Sequence, residues 1–217
     1  MKERNSDKYP PRSVIEVLRL IAHILNKTFW FIRYCGLENI PDKSVGGFMI
    51  VSNHQTYIDP VWICPPIKYR RFRFMAWDEA FGWSFIGSLI AYLGAFPVSV
   101  DVGEALDAMR EALRTLRDGA ALVVFPEGER EFADGKTLPF KTGAVRIAFH
   151  AGVPILPVTV RGGNRIWPRG QKYPRLFRRI EIIYHPLFEV IGNTALELHE
   201  NLERNTEELK KIISCEN

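Results

Sequence analysis

Short apolar runs, each the length of one buried strand, alternate with stretches whose apolar residues recur at helical spacing. The runs fall at Phe48–Ser52 (FMIVS), 71–76 (RFRFMA), Ala95–Val98, 121–125 (ALVVF), 154–160 and 179–184. Helical patterns lie between and after them, at 79–93, 103–117, 142–150 and 194–214. Fully apolar strands that each need a crossover helix are the signature of a sheet covered on both faces. The expected fold is therefore α/β: a single domain with a mainly parallel central sheet flanked by helices. In the helix at 103–117, Leu106, Met109, Leu113 and Leu116 share one face. In the last helix Leu198, Leu202, Leu209 and Ile212 do the same, a stripe that reads as core packing.

The nearest candidate for a spanning helix is the N-terminal segment at 13–34, but Glu16, Arg19, His23, Asn26 and Lys27 interrupt it at helical spacing. A spanning helix needs about 20 mainly apolar residues. This segment reads as an amphipathic helix entered after Pro10 and Pro11, with Ser13 as its N-cap. It has neither the uninterrupted apolar region nor the cleavage site of a signal peptide. Val17, Leu18, Ile21, Leu25, Phe29 and Phe31 form its apolar surface, either packed on the domain or laid in a membrane interface. Trp30 and the basic Arg19, Lys27 and Arg33 favour the interface. The division expected is an arm and membrane-surface helix at 1–34, then the main domain at 35–217. Cys35, Cys64 and Cys215 are too scattered for a zinc or redox motif and fit a reducing compartment.

Two polar turns directly follow apolar runs. The first is Asn53-His54-Gln55-Thr56-Tyr57-Ile58-Asp59-Pro60. A histidine at the carboxyl end of a buried strand sits where α/β proteins place ligands. Asp59 reads either as a helix-start residue before Pro60, with His54 in a plain turn, or as a carboxylate folded back onto the imidazole. In the second case it fixes the tautomer and leaves the other ring nitrogen as a general base. The second turn is Phe125-Pro126-Glu127-Gly128-Glu129-Arg130. It is either a solvated Glu–Arg pair or an anion and hydroxyl clamp in which Arg130 grips a phosphate or carboxylate. Lys141, in Phe140-Lys141-Thr142-Gly143, enters the next helix as a further anion contact or as a cap.

These blocks together resemble the glycerophospholipid acyltransferase family, typified by lysophosphatidic acid (1-acyl-glycerol-3-phosphate) acyltransferase. The first block, N-H-x-x-x-x-D, is Asn53, His54 and Asp59. The third, F-P-E-G-x-R, runs from Phe125 to Arg130. The fourth is Val153-Pro154-Ile155-Leu156-Pro157-Val158. The resemblance covers roughly residues 37–190 and implies acyl transfer from a thioester to a hydroxyl. His54 and Asp59 would be catalytic, His54 removing the hydroxyl proton and Asp59 stabilising the imidazolium. Glu127, Gly128, Arg130 and Lys141 would bind the acceptor, a lysophospholipid. The donor would be acyl-CoA or acyl carrier protein, with no metal or other cofactor. Two departures make the site less cationic: Val100 stands where the second block commonly ends in arginine, and Glu129 stands where the third often has threonine. A zwitterionic lysolipid acceptor is a further reading. An acyl-thioester hydrolase and a non-catalytic lipid-binding module are the rivals.

The net charge of +4 excludes little, but its distribution is uneven. Residues 161–179 hold Arg161, Arg165, Arg169, Lys172, Arg175, Arg178 and Arg179 with no acidic residue, and Trp167, Tyr173 and Phe177 are interleaved. Lys68, Arg70, Arg71 and Arg73 form a second cluster. A segment of this kind is either a solvated loop or suits nucleic acid, an anionic membrane or coenzyme A phosphates. With the acyltransferase blocks beside it, no nucleic acid partner is expected. The expectation is a peripheral protein on the cytoplasmic face of a membrane, each basic residue contributing about 1 kcal/mol. Gly82, Gly87 and Gly94 lie in an otherwise apolar stretch and would either leave room for an acyl chain or permit close helix packing.

Overall fold

The computed structural model describes residues 9–98, 102–129, 135–168, 171–192 and 194–215. Helix α1 (Arg12–Phe29) leads into β1 (Arg33–Cys35), β2 (Phe48–Ser52), α2 (Asp59–Ile63) and β3 (Phe72–Trp77). Then follow α3 (Ser84–Tyr92), β4 (Ala95–Val98), α4 (Val102–Arg117), β5 (Ala121–Val124), α5 (Gly143–Ala151), β6 (Ile155–Arg161), β7 (Glu181–Tyr184) and α6 (Ala195–Ser214). The strands make a seven-stranded sheet in the order β1-β7-β6-β2-β5-β3-β4. β6, β2, β5, β3 and β4 are mutually parallel. β7 pairs antiparallel with β6, and β1 parallel with β7. The expected α/β class is what forms.

Every residue of β2 and β5 is buried, because helices cover both faces of the sheet centre. On one face Met49, Val51, Leu122 and Val124 pack with Ala108, Ala112 and Leu116 of α4, with α5, and with Leu198, Leu202 and Leu209 of α6. On the other, Phe48, Ile50, Ala121 and Val123 pack with Trp30, Trp62 and Ile63. Each large side chain so enclosed contributes about 1.5–3 kcal/mol. Crossovers between parallel strands are right-handed as a rule, and β2 to β3 and β3 to β4 move across the sheet in the same direction, which assigns α3 to the same side as α2.

Several expectations change. The first helix ends at Phe29, not residue 34, and is capped by Pro11, with Ser13 inside it. Trp30 is not an interfacial anchor: it is buried, its rings 5.8 Å from those of Trp62, and its indole N–H donates to the Arg175 carbonyl. The expected division at 34/35 falls inside β1, whose short run the sequence pattern did not mark. The apolar face of α4 is also shifted, with Ala108, Ala112 and Leu116 buried and Leu106 exposed. The helix expected at 79–93 splits into a 3-10 turn (Asp78–Gly82) and α3. A Cβ on Gly87 would collide with the Phe81 carbonyl, so Gly87 serves close packing. Gly94 has φ +95° and its Cβ would press on the Phe72 carbonyl, again packing rather than room for a chain. The Lys68–Arg73 cluster stands at the amino edge of β3. There Arg73 is buried and pairs with Glu111 at 3.1 Å, while Arg70 donates to the carbonyls of Asp42, Val45 and Gly46.

Candidate active site at the carboxyl edge of the sheet

β2 ends at Ser52, and its pairing with β6 is continued by a side chain. The Asn53 amide accepts from Val160 N–H at 2.8 Å and donates to the Val160 carbonyl at 2.9 Å. A buried side chain thus supplies the two bonds the departing backbone would have made. The chain is then free to turn outward while staying anchored, and His54 stands at the lip of the sheet.

His54 Nδ1 lies 2.8 Å from Asp59 Oδ2. Asp59 is fully buried. Its Oδ2 also accepts from Gln55 N–H at 2.7 Å and Thr56 N–H at 2.9 Å, and its Oδ1 accepts from the Thr56 hydroxyl at 2.6 Å. A carboxylate can only accept, so Nδ1 carries the proton, and in the neutral ring Nε2 keeps its lone pair. The His54 ring stacks on Phe125 at 4.0 Å between centroids and 18° between planes. Carboxylate and phenyl ring together set both the tautomer and the plane of the imidazole. Of the two readings of Asp59, the fold-back onto histidine is the one that forms, even though Asp59 also opens α2.

Gln55 ties this turn to two others. Its side-chain oxygen accepts from Gly163 N–H at 2.7 Å, and its amide donates to the Gly135 carbonyl at 3.1 Å. The residues that sequence reasoning left without a role are therefore Asn53, Gln55, Thr56 and Phe125. One signal was available: an unbroken polar run directly after a buried strand has to satisfy its buried groups somewhere.

Glu127 is buried, with Oε1 accepting from His54 N–H at 2.8 Å and Oε2 from Leu138 N–H at 2.9 Å. Glu127, expected among the acceptor-binding groups, thus has a structural task in the fold. Both carboxylate oxygens hold backbone amides, so the side chain fixes the His54 turn against the 135–141 strap. Gly128 adopts φ +73°, and a Cβ there would lie 2.5 Å from Lys141 Nζ. Lys141 is exposed beside that turn, its N–H donating to the Pro126 carbonyl at 2.8 Å. The structure thus gathers His54, Asp59, Glu127, Gly128 and Lys141 at one edge. Arg130 and Val100 lie outside the described residues, as does Arg169. Glu129 is exposed.

The basic segment closes the same edge. Its 3-10 turn at Gly163–Arg165 follows β6. Arg161 pairs with Glu181 at 3.2 Å, while Lys172, Arg175, Arg178 and Arg179 are exposed. Phe177 N–H donates to the Phe29 carbonyl at 2.6 Å, and their rings stand 6.0 Å apart. The end of α1 and the basic loop are thereby one continuous surface. Tyr57 meets Trp83 at 5.3 Å and Trp167 at 5.6 Å, both edge to face, forming an aromatic rim three residues from His54. Among the other histidines, His185 has its Nε2 2.7 Å from the Thr159 hydroxyl. That hydroxyl donates to the Ile213 carbonyl, so His185 is the donor to it. Burial, and then the neighbouring Arg161, hold the His185 value below the usual histidine range.

Fold and site define an α/β protein that presents a carboxylate-backed imidazole at the carboxyl edge of a mostly parallel sheet. Residues 31–161 match the family model described as Acyltransferase, and the chain belongs to that family. It is 27% identical over 209 residues to a chloroplastic 1-acyl-sn-glycerol-3-phosphate acyltransferase of Brassica napus, covering 96% of this chain and 59% of that one. A chloroplastic enzyme of the same name from Arabidopsis thaliana is 30% identical, over 78% of this chain and 47% of its own length. The chain thus spans about half the length of these curated relatives. The crystal structure of the 1-acyl-sn-glycerophosphate acyltransferase PlsC from Thermotoga maritima superimposes with a TM-score of 0.68 at 26% identity. That match covers 98% of this chain and 83% of the other.

Proposed function

We propose that the protein is an O-acyltransferase that moves a fatty acyl group from a thioester to the hydroxyl of a lysophospholipid, with 1-acyl-glycerol-3-phosphate as the leading acceptor. The observation that carries this reading is the contact of His54 Nδ1 with the buried Asp59, in a chain of the Acyltransferase family. His54 Nε2 takes the proton of the acceptor hydroxyl as its oxygen attacks the acyl carbonyl, and Asp59 stabilises the imidazolium that forms. The thioester bond breaks as the new ester forms. The thiolate leaves on coenzyme A or acyl carrier protein and takes up the proton held by His54. Donor and acceptor meet directly, so no acyl-enzyme, metal or redox group is required.

Lys141 beside Gly128 supplies one cation for the acceptor head group, and Arg130 is assigned the second on the resemblance of its block. The names of the relatives support a phosphate-bearing acceptor. The membrane-surface reading rests on α1 and the basic loop. Val17, Leu20, Ile21 and Ile24 of α1 are exposed, and its end is bonded to a loop with four exposed cations. No helix among the described residues is long and apolar enough to cross a membrane. The site then works on a leaflet from the cytoplasmic face, where acyl-CoA or acyl carrier protein arrives.

The test is incubation of the purified protein with acyl-CoA, or acyl carrier protein, and a mixed lysolipid pool, with mass spectrometry of the products. A diacyl product formed by the native chain and lost in His54→Ala is expected. Acyl release at a rate indifferent to the lipid overturns acyl transfer in favour of hydrolysis.

A further inference from the structure

Helix α3 is apolar and stands almost uncovered. From Ala80 to Val100 the sequence carries no charged side chain. An apolar segment of this kind is ordinarily enclosed, in a core or in lipid. In α3, however, only Gly87 is buried, and Phe85 is 77% exposed, with Ile86, Leu89 and Tyr92 also exposed. Trp77 and Trp83, both exposed, stand before the helix, and Tyr92 ends it. Amphipathic aromatic rings at the ends of an apolar segment are the arrangement found at a membrane–water boundary.

We infer that α3 is a bilayer-contacting element, which inserts Phe85, Ile86 and Leu89 among acyl chains and sets the aromatic rim at head-group depth. This rests on the membrane-surface reading above and adds to it a second, separate contact. The first argument for a lipid surface over a protein partner is charge. A cover for α3 is offered no salt-bridge partner along the helix, as hydrocarbon requires and as the charged rim of a protein interface does not. The acidic Asp78 and Glu79 stand outside the stretch, in the preceding turn. The second argument is continuity. Trp83 touches Tyr57, Tyr57 touches Trp167, and Trp167 belongs to the loop that carries the exposed Lys172, Arg175, Arg178 and Arg179. Those cations match anionic head groups at the same edge. Exposed Val61 of α2 bridges toward α1, whose Asn26 donates to the Val61 carbonyl. The apolar residues of α1, α2 and α3 therefore lie on one side of the sheet, and the candidate base at its edge. An acceptor lipid drawn from the leaflet between α1 and α3 arrives at His54 with its glycerol end first.

The experiment is sedimentation of the full chain with equimolar phosphatidylcholine and phosphatidylglycerol vesicles, for the native chain, Phe85→Asp and the control Leu106→Asp. Leu106 is a similarly exposed leucine on the opposite layer. Phe85→Asp is expected to weaken vesicle affinity at least about tenfold with an unchanged melting temperature, and Leu106→Asp to leave it within twofold. The ratio between native chain and Phe85→Asp should persist in high salt, where the contribution of the basic loop is screened. Native binding with Phe85→Asp unaffected overturns the α3 contact and leaves the membrane reading standing. A native chain that does not sediment with vesicles overturns both. A native dimer that Phe85→Asp converts to monomer, without change in vesicle binding, overturns the lipid assignment and puts a second copy on α3.

Discussion

Asp59→Asn removes one charge from the site while keeping its shape, and the structure indicates where the replacement amide settles. Two backbone N–H groups and His54 all point at Oδ2, whereas Oδ1 meets only the Thr56 hydroxyl. The amide oxygen must take the Oδ2 position, and the NH2 the Oδ1 position, with the Thr56 hydroxyl rotating to accept. Nδ1–H then still finds an acceptor, so the histidine tautomer survives. What is lost is the attraction between carboxylate and imidazolium. At a charge separation near 4 Å and an effective dielectric of 20 this is about 4 kcal/mol. The residual dipole of the amide offsets part of it, leaving a fall in kcat of about two to three powers of ten. The assay is thiol release from acyl-CoA in the presence of a lysolipid acceptor. KM for both substrates should stay within about threefold of native, because neither substrate need touch Asp59, and folding is checked by thermal melting. A variant that keeps a tenth or more of native kcat, while His54→Ala is inactive, refutes imidazolium stabilisation by Asp59.

Two further outcomes follow from the same contacts. Glu127→Gln leaves one oxygen for two backbone amides, His54 N–H and Leu138 N–H. It should cost about 1–3 kcal/mol of stability and lower kcat without raising the acceptor KM; a rise in acceptor KM alone would assign Glu127 to head-group binding instead. His185 is held below its usual value of 6.5 in the folded chain, so the unfolded chain takes up its proton first as pH falls. Its contribution is complete above pH 6.5 and is lost as acid carries the pH down through the folded value. Melting temperature followed from neutral pH to mildly acidic pH should therefore fall less in His185→Gln than in the native chain, and parallel curves would show that His185 does not set the acid side.

The reach of the sequence and its limits can be seen within the site itself. The strands at 48–52 and 121–124 were legible because burial on both faces leaves them apolar, with Ser52 at the end of the first as the one polar position. The pairing of His54 with Asp59 was legible as one of two readings because five residues of turn suffice to bring them together. Which reading holds was decided by the fully buried carboxylate and the amides that converge on it. Glu127 shows the opposite limit. As sequence it is a charge beside Gly128 and suggests a ligand contact. Only the parallel pairing of β2 with β5 puts it under His54 N–H, 73 residues away. Trp30 follows the same rule, since an aromatic residue at the end of an amphipathic helix suits either an interface or a core, and here Trp62 and the Arg175 carbonyl claim it. Local pattern thus determined which segments could be buried and which side chains could do chemistry. Tertiary structure decided what each polar group faces, because burial and long-range partners determine whether a charge meets a substrate or holds the chain.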